Sequence, residues 1–190
     1  MPDGQKLLDG LSGYHSLYTD GSLNTARNAG GYAVIALVNR GGINYPEVLT
    51  VGAIAGATNN IVELAGIGEA MLFSPTLIYS DSRYAIGTLA EWSDKWRANG
   101  WARSAGPIAN LAIVKTLNHV YNTLQTHSNL PTLLHVKGHA GNIGNEAADS
   151  ESRNFIDRAD SIPSISAWLE GYRQRATLVL QSLGSTAPIP

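Results

Sequence analysis

The stretch Thr76-Leu77-Ile78-Tyr79-Ser80-Asp81-Ser82 constrains this chain more than any other. Four residues suited to a strand, Thr76 to Tyr79, run into a polar stop that carries a carboxylate, and a helical pattern begins at once. Asp81 is thereby placed at the C-terminal mouth of a central strand, where open α/β sheets bind ligands. Ser-Asp-Ser is also good N-cap chemistry, so the simplest role for Asp81 taken alone is to cap the next helix. Three further carboxylates weigh against that role.

Tyr14 to Thr19 reads as a strand ending in Asp20-Gly21-Ser22, a second carboxylate at a strand mouth. Gly31 to Asn39 is apolar almost throughout, as a strand buried on both faces would be. Arg40-Gly41-Gly42 turns the chain into a third strand over Glu47 to Ala55, giving an antiparallel meander. Thr58-Asn59-Asn60 caps a helix predicted over 61–73, with Ile61, Leu64, Ala65, Ile67, Ala70 and Met71 at helical spacing and Glu63 in its first turn. A short helix is predicted from Ser82 to Leu89, a long one from Pro107 to Thr126, a last strand over Thr132 to Val136 and a helix from Gly144 to Arg158 carrying Asp149. Beyond Pro163, a terminal helix over Ser164 to Leu183 has Trp168, Leu169, Tyr172, Leu178 and Leu180 as its apolar side, and the tail from Gly184 is predicted disordered. The order implies an α/β fold: a five-stranded mixed sheet, three antiparallel strands plus two parallel, flanked by helices. The predicted organisation is a flexible arm over residues 1–13, one domain over 14–160 and a C-terminal helical extension over 161–190.

Composition narrows the function classes. A net charge of −2 gives no bulk attraction for nucleic acid, so any such binding needs a local patch. The absence of cysteine excludes disulfides and thiolate zinc sites. No apolar run reaches the roughly 18 residues of a membrane span, and no secretory signal pattern opens the chain. A cytoplasmic protein without a membrane partner is the expectation.

Four carboxylates stand out by position: Asp20 and Asp81 end strands, while Glu63 and Asp149 lie on helices after polar turns. If the two strands are neighbours, these groups crowd together and repel. A divalent cation removes the conflict, and hard oxygen ligands suit Mg2+, with Mn2+ as a substitute. Two such ions about 4 Å apart support in-line attack of water on a phosphodiester.

YTDGS (Tyr18 to Ser22), TNNIVEL (Thr58 to Leu64), YSDSRYAI (Tyr79 to Ile86) and HVKGHAGNIGNEAAD (His135 to Asp149) resemble the four motifs of the type 1 ribonuclease H family, in the family's order. WSDKWRANGW (Trp92 to Trp101) resembles its basic handle. The resemblance implies the ribonuclease H-like fold and endonucleolytic cleavage of the RNA strand of RNA/DNA hybrids, giving 5′-phosphate and 3′-hydroxyl ends. It implies Asp20, Glu63, Asp81 and Asp149 as ligands of two Mg2+ ions, and His139, on a loop loosened by Gly138, Gly141 and Gly144, as an aid to proton movement or product release. Glu146 matches an acidic residue near the second ion. Asn59 and Asn60 match residues that read the hybrid minor groove, where 2′-hydroxyls are displayed, and Thr58 matches a position near a DNA-strand phosphate.

The chain departs from the family pattern in places. The loop after the first motif reads Leu23-Asn24-Thr25-Ala26-Arg27-Asn28, with Ala26 where asparagine is usual, so Asn24 or Asn28 is left to supply that contact. Arg83 stands where glutamine is frequent and offers a phosphate contact. Trp92, Trp96 and Trp101 read equally as packing groups or as DNA-strand contacts, with Trp96, Arg97 and Trp101 the contact candidates. Glu69 and Asp94 read as solvated helix charges. The terminal helix packs on its own sheet or pairs with a second copy, the monomer being the expected state. The competing functions are a non-cutting nucleic-acid-binding domain of this fold and a ribonuclease H domain excised from a reverse-transcriptase polyprotein.

The handle segment carries only Lys95, Arg97 and Arg103 as cations, with Asp94 offsetting one. Each neutralised phosphate adds about one unit to the slope of log affinity against log salt. The expected slope for hybrid binding is therefore shallow, about two to three units; a titration by fluorescence anisotropy giving a slope above about six would contradict it.

Overall fold

The computed structural model describes residues 14–190; the arm predicted over 1–13 lies outside them. Strands β1 (Ser16–Asn24), β2 (Ala29–Arg40), β3 (Ile43–Ala55), β4 (Leu77–Ser80) and β5 (Thr132–His135) form one sheet in the order β3-β2-β1-β4-β5. β1–β2 and β2–β3 are antiparallel, the meander the sequence predicts, and the parallel half of the sheet is made by β1–β4 and β4–β5, which sets the Asp20 and Asp81 strands side by side. The hairpin strands are longer than expected, because Ile43 to Pro46 continue the pairing outward at the solvent-exposed end.

Among the described residues, six α-helices join and cover the sheet: α1 (Asn59–Met71), α2 (Arg83–Gly87), α3 (Ser93–Ala98), α4 (Leu111–Thr126), α5 (Ile143–Arg158) and α6 (Ile165–Ser182). The short helix predicted to end at Leu89 instead runs on through a π turn, Thr88–Trp92, into α3. Gly87 permits this, since a Cβ there would meet the Trp92 ring at 2.8 Å. α4 begins later than Pro107 because Asn110 is left-handed (φ 57°) and sets the first turn at Leu111.

β2 is buried on both faces, as its apolar run requires. Val34 and Ala36 join Leu17, α1, α4 and α6 in the main core, while Ala33 and Ile35 meet Ala148 of α5 on the other face. The alternation is the period of two expected of a strand.

α6 is part of that main core. Trp168, Leu169, Tyr172, Ala176, Val179 and Leu180 are buried, whereas Leu178, assigned to the apolar side from sequence, falls on the opposite helix face and is 52% exposed. The Trp168 indole donates to the Tyr32 hydroxyl (3.1 Å), and the Tyr172 hydroxyl donates to the Gly68 carbonyl (3.2 Å). Glu69 is not a solvated charge: it is 4% exposed and paired with Arg175 of α6. Burial pushes its carboxyl up, and the guanidinium pulls it back. The connection into α6 lies along the sheet edge, where Ala55 N–H donates to the Pro163 carbonyl (2.8 Å). The tail is ordered rather than loose, with Ile189 against the core and the Pro190 carbonyl accepting from Thr116 (3.0 Å) and Arg173 (2.8 Å).

Trp168→Ala is expected to cost about 3–5 kcal/mol, the range for emptying a large aromatic site in a core. Leu178→Ala is expected to stay within about 0.5 kcal/mol. Urea unfolding followed by circular dichroism checks both, and equal costs would mean that α6 is seated differently.

Candidate active site

The parallel register of β1 and β4 sets Thr19 opposite Ser80. Asp20 and Asp81, one residue further along each, therefore leave neighbouring strands at the same level. Glu63 comes in from the early part of α1. A Cβ at Gly21 would meet the Val62 side chain at 2.7 Å and the Glu63 backbone nitrogen at 3.1 Å, so glycine is what lets α1 approach the mouth of β1 this closely. One carboxylate oxygen from each of Asp20, Glu63 and Asp81 lies within 4.8 Å of the others.

Asp81 is not the cap of α2. Ser82 is the N-cap, and its hydroxyl accepts from Ala85 N–H (3.2 Å), while the Ser80 hydroxyl accepts from Ser82 N–H (3.1 Å). The aspartate carboxylate is thus left for the site. The loop bearing His139 passes over it: a Cβ at Gly138 would collide with the Asp81 carboxylate, and one at Gly144 with the Tyr18 ring. These two glycines serve close approach rather than loop freedom, and Gly141 (φ 80°) is the one that meets a left-handed turn. His139 is itself left-handed (φ 50°), with its side chain 77% exposed.

Asp20 is 5% exposed and accepts from Gly21 N–H (2.7 Å) and the Asn145 side-chain amide (2.9 Å). Burial, reinforced by the Asp81 charge, still pushes its carboxyl up to about 7. Glu63 is 4% exposed, and burial followed by the charges of Asp20 and Asp81 pushes it up to about 9. Its Oε2 has no hydrogen-bond partner among the described residues. No Lys or Arg among the described residues forms an ion pair with any of the three. Oxygen-only donors, mutual repulsion and an orphaned buried carboxylate oxygen fit a hard divalent cation.

Asp149, expected as the fourth member, is buried on α5 close enough for its charge to raise both Asp20 and Glu63. Its own Oδ2 is turned to other partners, the Arg153 guanidinium and His139 Nδ1 at 3.7 Å. Three of the four predicted ligands are thus gathered, and the fourth is held by an internal cation. Two residues had escaped the sequence reading. Arg153 was signalled only by its i+4 spacing from Asp149, and Asn145, buried against Asp20, only by its place in the fourth motif. Glu146 accepts from Gly141 N–H (2.9 Å) and so ties down the His139 loop.

The predicted nucleic-acid contacts fall into two groups. Thr58, Asn59, Asn60 and Arg83 are exposed, and Thr58 caps α1 without a side-chain hydrogen bond, so its hydroxyl is free. Asn24 is engaged internally: it accepts from Arg27 N–H (3.0 Å) and donates to Asp157 (2.9 Å). Trp96 and Trp101 are half-buried against the core, with Lys115 5.5 Å above the Trp101 ring, and exposed Arg97 donates to Asp94 (3.3 Å). Asp94 is not simply solvated, since it also accepts from Asn118 and Asn122 (both 2.9 Å).

This sheet, with acids converging from two parallel strand ends and a helix, defines a nuclease of the ribonuclease H-like fold. The RNase H family model matches residues 13–156. A ribonuclease H of Cyanothece sp. is 32% identical over 146 residues, covering 73% of this chain and 87% of the relative. A ribonuclease HI of Synechocystis sp. is 35% identical over 140 residues, covering 70% and 82%. Among solved structures, the foamy virus protease-reverse transcriptase in complex with dsDNA aligns with a TM-score of 0.60 at 21% identity, covering 76% of this chain and 95% of that one. LC9-RNase H1, a type 1 RNase H with the type 2 active-site motif, aligns at 0.57 and 22%, covering 92% and 87%. The chain belongs to the ribonuclease H family, hydrolases of the RNA strand of RNA/DNA hybrids.

The raised carboxyls make stability fall with pH in the metal-free protein. Between the ordinary values of 3.8 and 4.5 and the folded values of about 7 and about 9, the folded state holds more protons than the unfolded chain. Stability is therefore greatest at the acid end of that window and drops as pH rises through it. Thermal unfolding in EDTA between pH 5 and 9 is expected to show this fall, with Glu63→Gln flattening its upper part and Mg2+ suppressing it. A flat profile in EDTA would contradict the electrostatics.

Proposed function

We propose that the chain cuts hybrids endonucleolytically with two Mg2+ ions held by Asp20, Glu63, Asp81 and Asp149, leaving 5′-phosphate and 3′-hydroxyl ends, with Mn2+ able to replace Mg2+. The observation that carries this reading is the convergence of Asp20, Glu63 and Asp81 with the Glu63 Oε2 unpartnered. When bound, the ions supply an activated water and a countercharge for the leaving oxygen. The protein's part is positional. Asn145 and Gly21 N–H fix the Asp20 carboxylate. His139, exposed beside Asp149, is free to exchange a proton with the 3′ leaving oxygen. Thr58, Asn59 and Asn60 lie exposed at the start of α1, suited to 2′-hydroxyls and an adjacent phosphate. Arg83 takes a phosphate, and Trp96, Arg97 and Trp101 take the DNA strand. Asn24, already bonded to Arg27 and Asp157, shapes its loop.

The active form in this reading is a monomer, because the apolar side of α6 is already covered by α1, α4 and the sheet. A cysteine-free chain suits the reducing cytoplasm. No helix of the described residues is long and apolar enough to cross a membrane.

A labelled RNA/DNA hybrid is expected to be cut in Mg2+ and in Mn2+, with single-stranded RNA, duplex RNA and duplex DNA left intact. Asp81→Asn is expected to lower the rate at least about a thousandfold, the several kcal/mol that metal stabilisation of the transition state contributes. Hybrid binding without cutting by the native protein would favour the binding-domain alternative, and cutting of duplex DNA would overturn the substrate assignment.

A further inference from the structure

Arg153 stands one turn after Asp149 and one turn before Asp157 on α5. Residues four apart share a helix face, so the three form one acid-base-acid stripe. Asp149 is the only one of the four proposed ligands with a charged arginine on its carboxylate among the described residues. The arginine side chain is 58% exposed, against 13% for the aspartate, so the cation can leave without unpacking anything. Towards the other end of the stripe, Arg153 lines a hollow of about 270 Å3 together with Leu23, Asn24, Ile156 and Asp157. Asp157 is exposed there, and among the described residues its side chain accepts only from the Asn24 amide (2.9 Å). The neighbouring cation, Arg27, spends its guanidinium on the carbonyls of Ile156, Asp157 and Ala159. Arg158 is paired with Glu151 (3.3 Å).

We propose that Arg153 is an internal competitor for the second divalent ion, holding Asp149 in the ion-free protein and passing to Asp157 when the ion binds. This rests on the four-carboxylate reading above. Among the described residues Asp20, Glu63 and Asp81 have no such cation to displace, so the ions load in order, a tight one at those three groups and a weaker one that must first free Asp149. A half-exposed ion pair is a weak lock. It raises the concentration at which the second ion binds by about three- to tenfold and does not forbid binding. The guanidinium changes only its rotamer, since both acids lie within one turn of it.

Mn2+ binding to the whole chain, counted by electron paramagnetic resonance of the free ion, tests this without reference to activity. The native protein is expected to bind one tight and one weak ion. Arg153→Gln is expected to tighten the weak ion about three- to tenfold and leave the tight one within about twofold. Asp157→Asn removes the alternative resting place and is expected to weaken the weak ion about two- to threefold. Opposite signs from two exposed neighbours are not what general damage to α5 produces, and circular dichroism of both variants confirms the fold. An unchanged or weakened second ion in Arg153→Gln overturns the competitor role while leaving the site reading standing. Absence of any second Mn2+ in both the native protein and Arg153→Gln overturns the four-carboxylate reading itself.

Discussion

Asp20 and Glu63 are buried beside the Asp81 carboxylate with no counter-cation among the described residues, and much of the fold serves to hold the three acids in that state of conflict. Asp20 and Glu63 are almost wholly buried, and that burial first, then the like charges within 4.8 Å, drives their proton affinities up. A flexible assembly would relieve the repulsion by moving apart. Here the backbone prevents it. The aspartates are one residue beyond a hydrogen-bonded parallel pair, and the glutamate belongs to a helix pressed onto the strand at a glycine. Parallel register, rather than any side-chain contact, fixes the separation of Asp20 and Asp81, which is the kind of rigid element on which ion sites are best built.

The site also depends on both layers of helices. From one face α1 brings Glu63, and from the other α5 brings Asp149, Asn145 and Arg153. The carboxylates therefore sit where two independently packed helices and two strand ends meet. The His139 loop, held down by Glu146 and by the close approach of Gly138 to Asp81, closes the same corner.

The succession of strands and helices and the positions of the carboxylates were legible because they rest on local rules: apolar strand runs, acids at strand ends and helical periodicity. That β4 lies beside β1 was not, because strand adjacency is a tertiary property. Asp81 shows where such rules become ambiguous. Ser-Asp-Ser offers three side chains able to cap, and only the structure shows that Ser82 takes the cap and leaves the aspartate free. Glu69 was misread for a related reason. Its partner Arg175 is distant in sequence, and nothing local distinguishes a paired buried glutamate from a solvated one. The ordered tail and the seating of α6 likewise depend on tertiary contacts, through Thr116, Arg173, Tyr32 and Gly68. The Arg153 pair was visible as an i+4 spacing but carried no hint that Asp149 would be its target rather than Asp157.

Glu63 and Glu69 make a controlled comparison within one helix. Both lie on α1, both are 4% exposed, and burial raises the carboxyl of each. Six residues apart, they point in different directions. Glu69 faces α6, where Arg175, the Tyr32 hydroxyl and the nearby Trp168 indole receive it, and its charge is neutralised within the chain. Glu63 faces the strand mouths, where its nearest charges are acidic and one of its oxygens has no hydrogen-bond partner among the described residues. Since removing one partner from a buried charge costs several kcal/mol, a fold that gives one glutamate an arginine and the other only carboxylates among the described residues leaves the second charge uncompensated. That asymmetry, more than burial, motif position or proton affinity taken singly, is what supports the proposed ligand role of Glu63 against the structural role of Glu69.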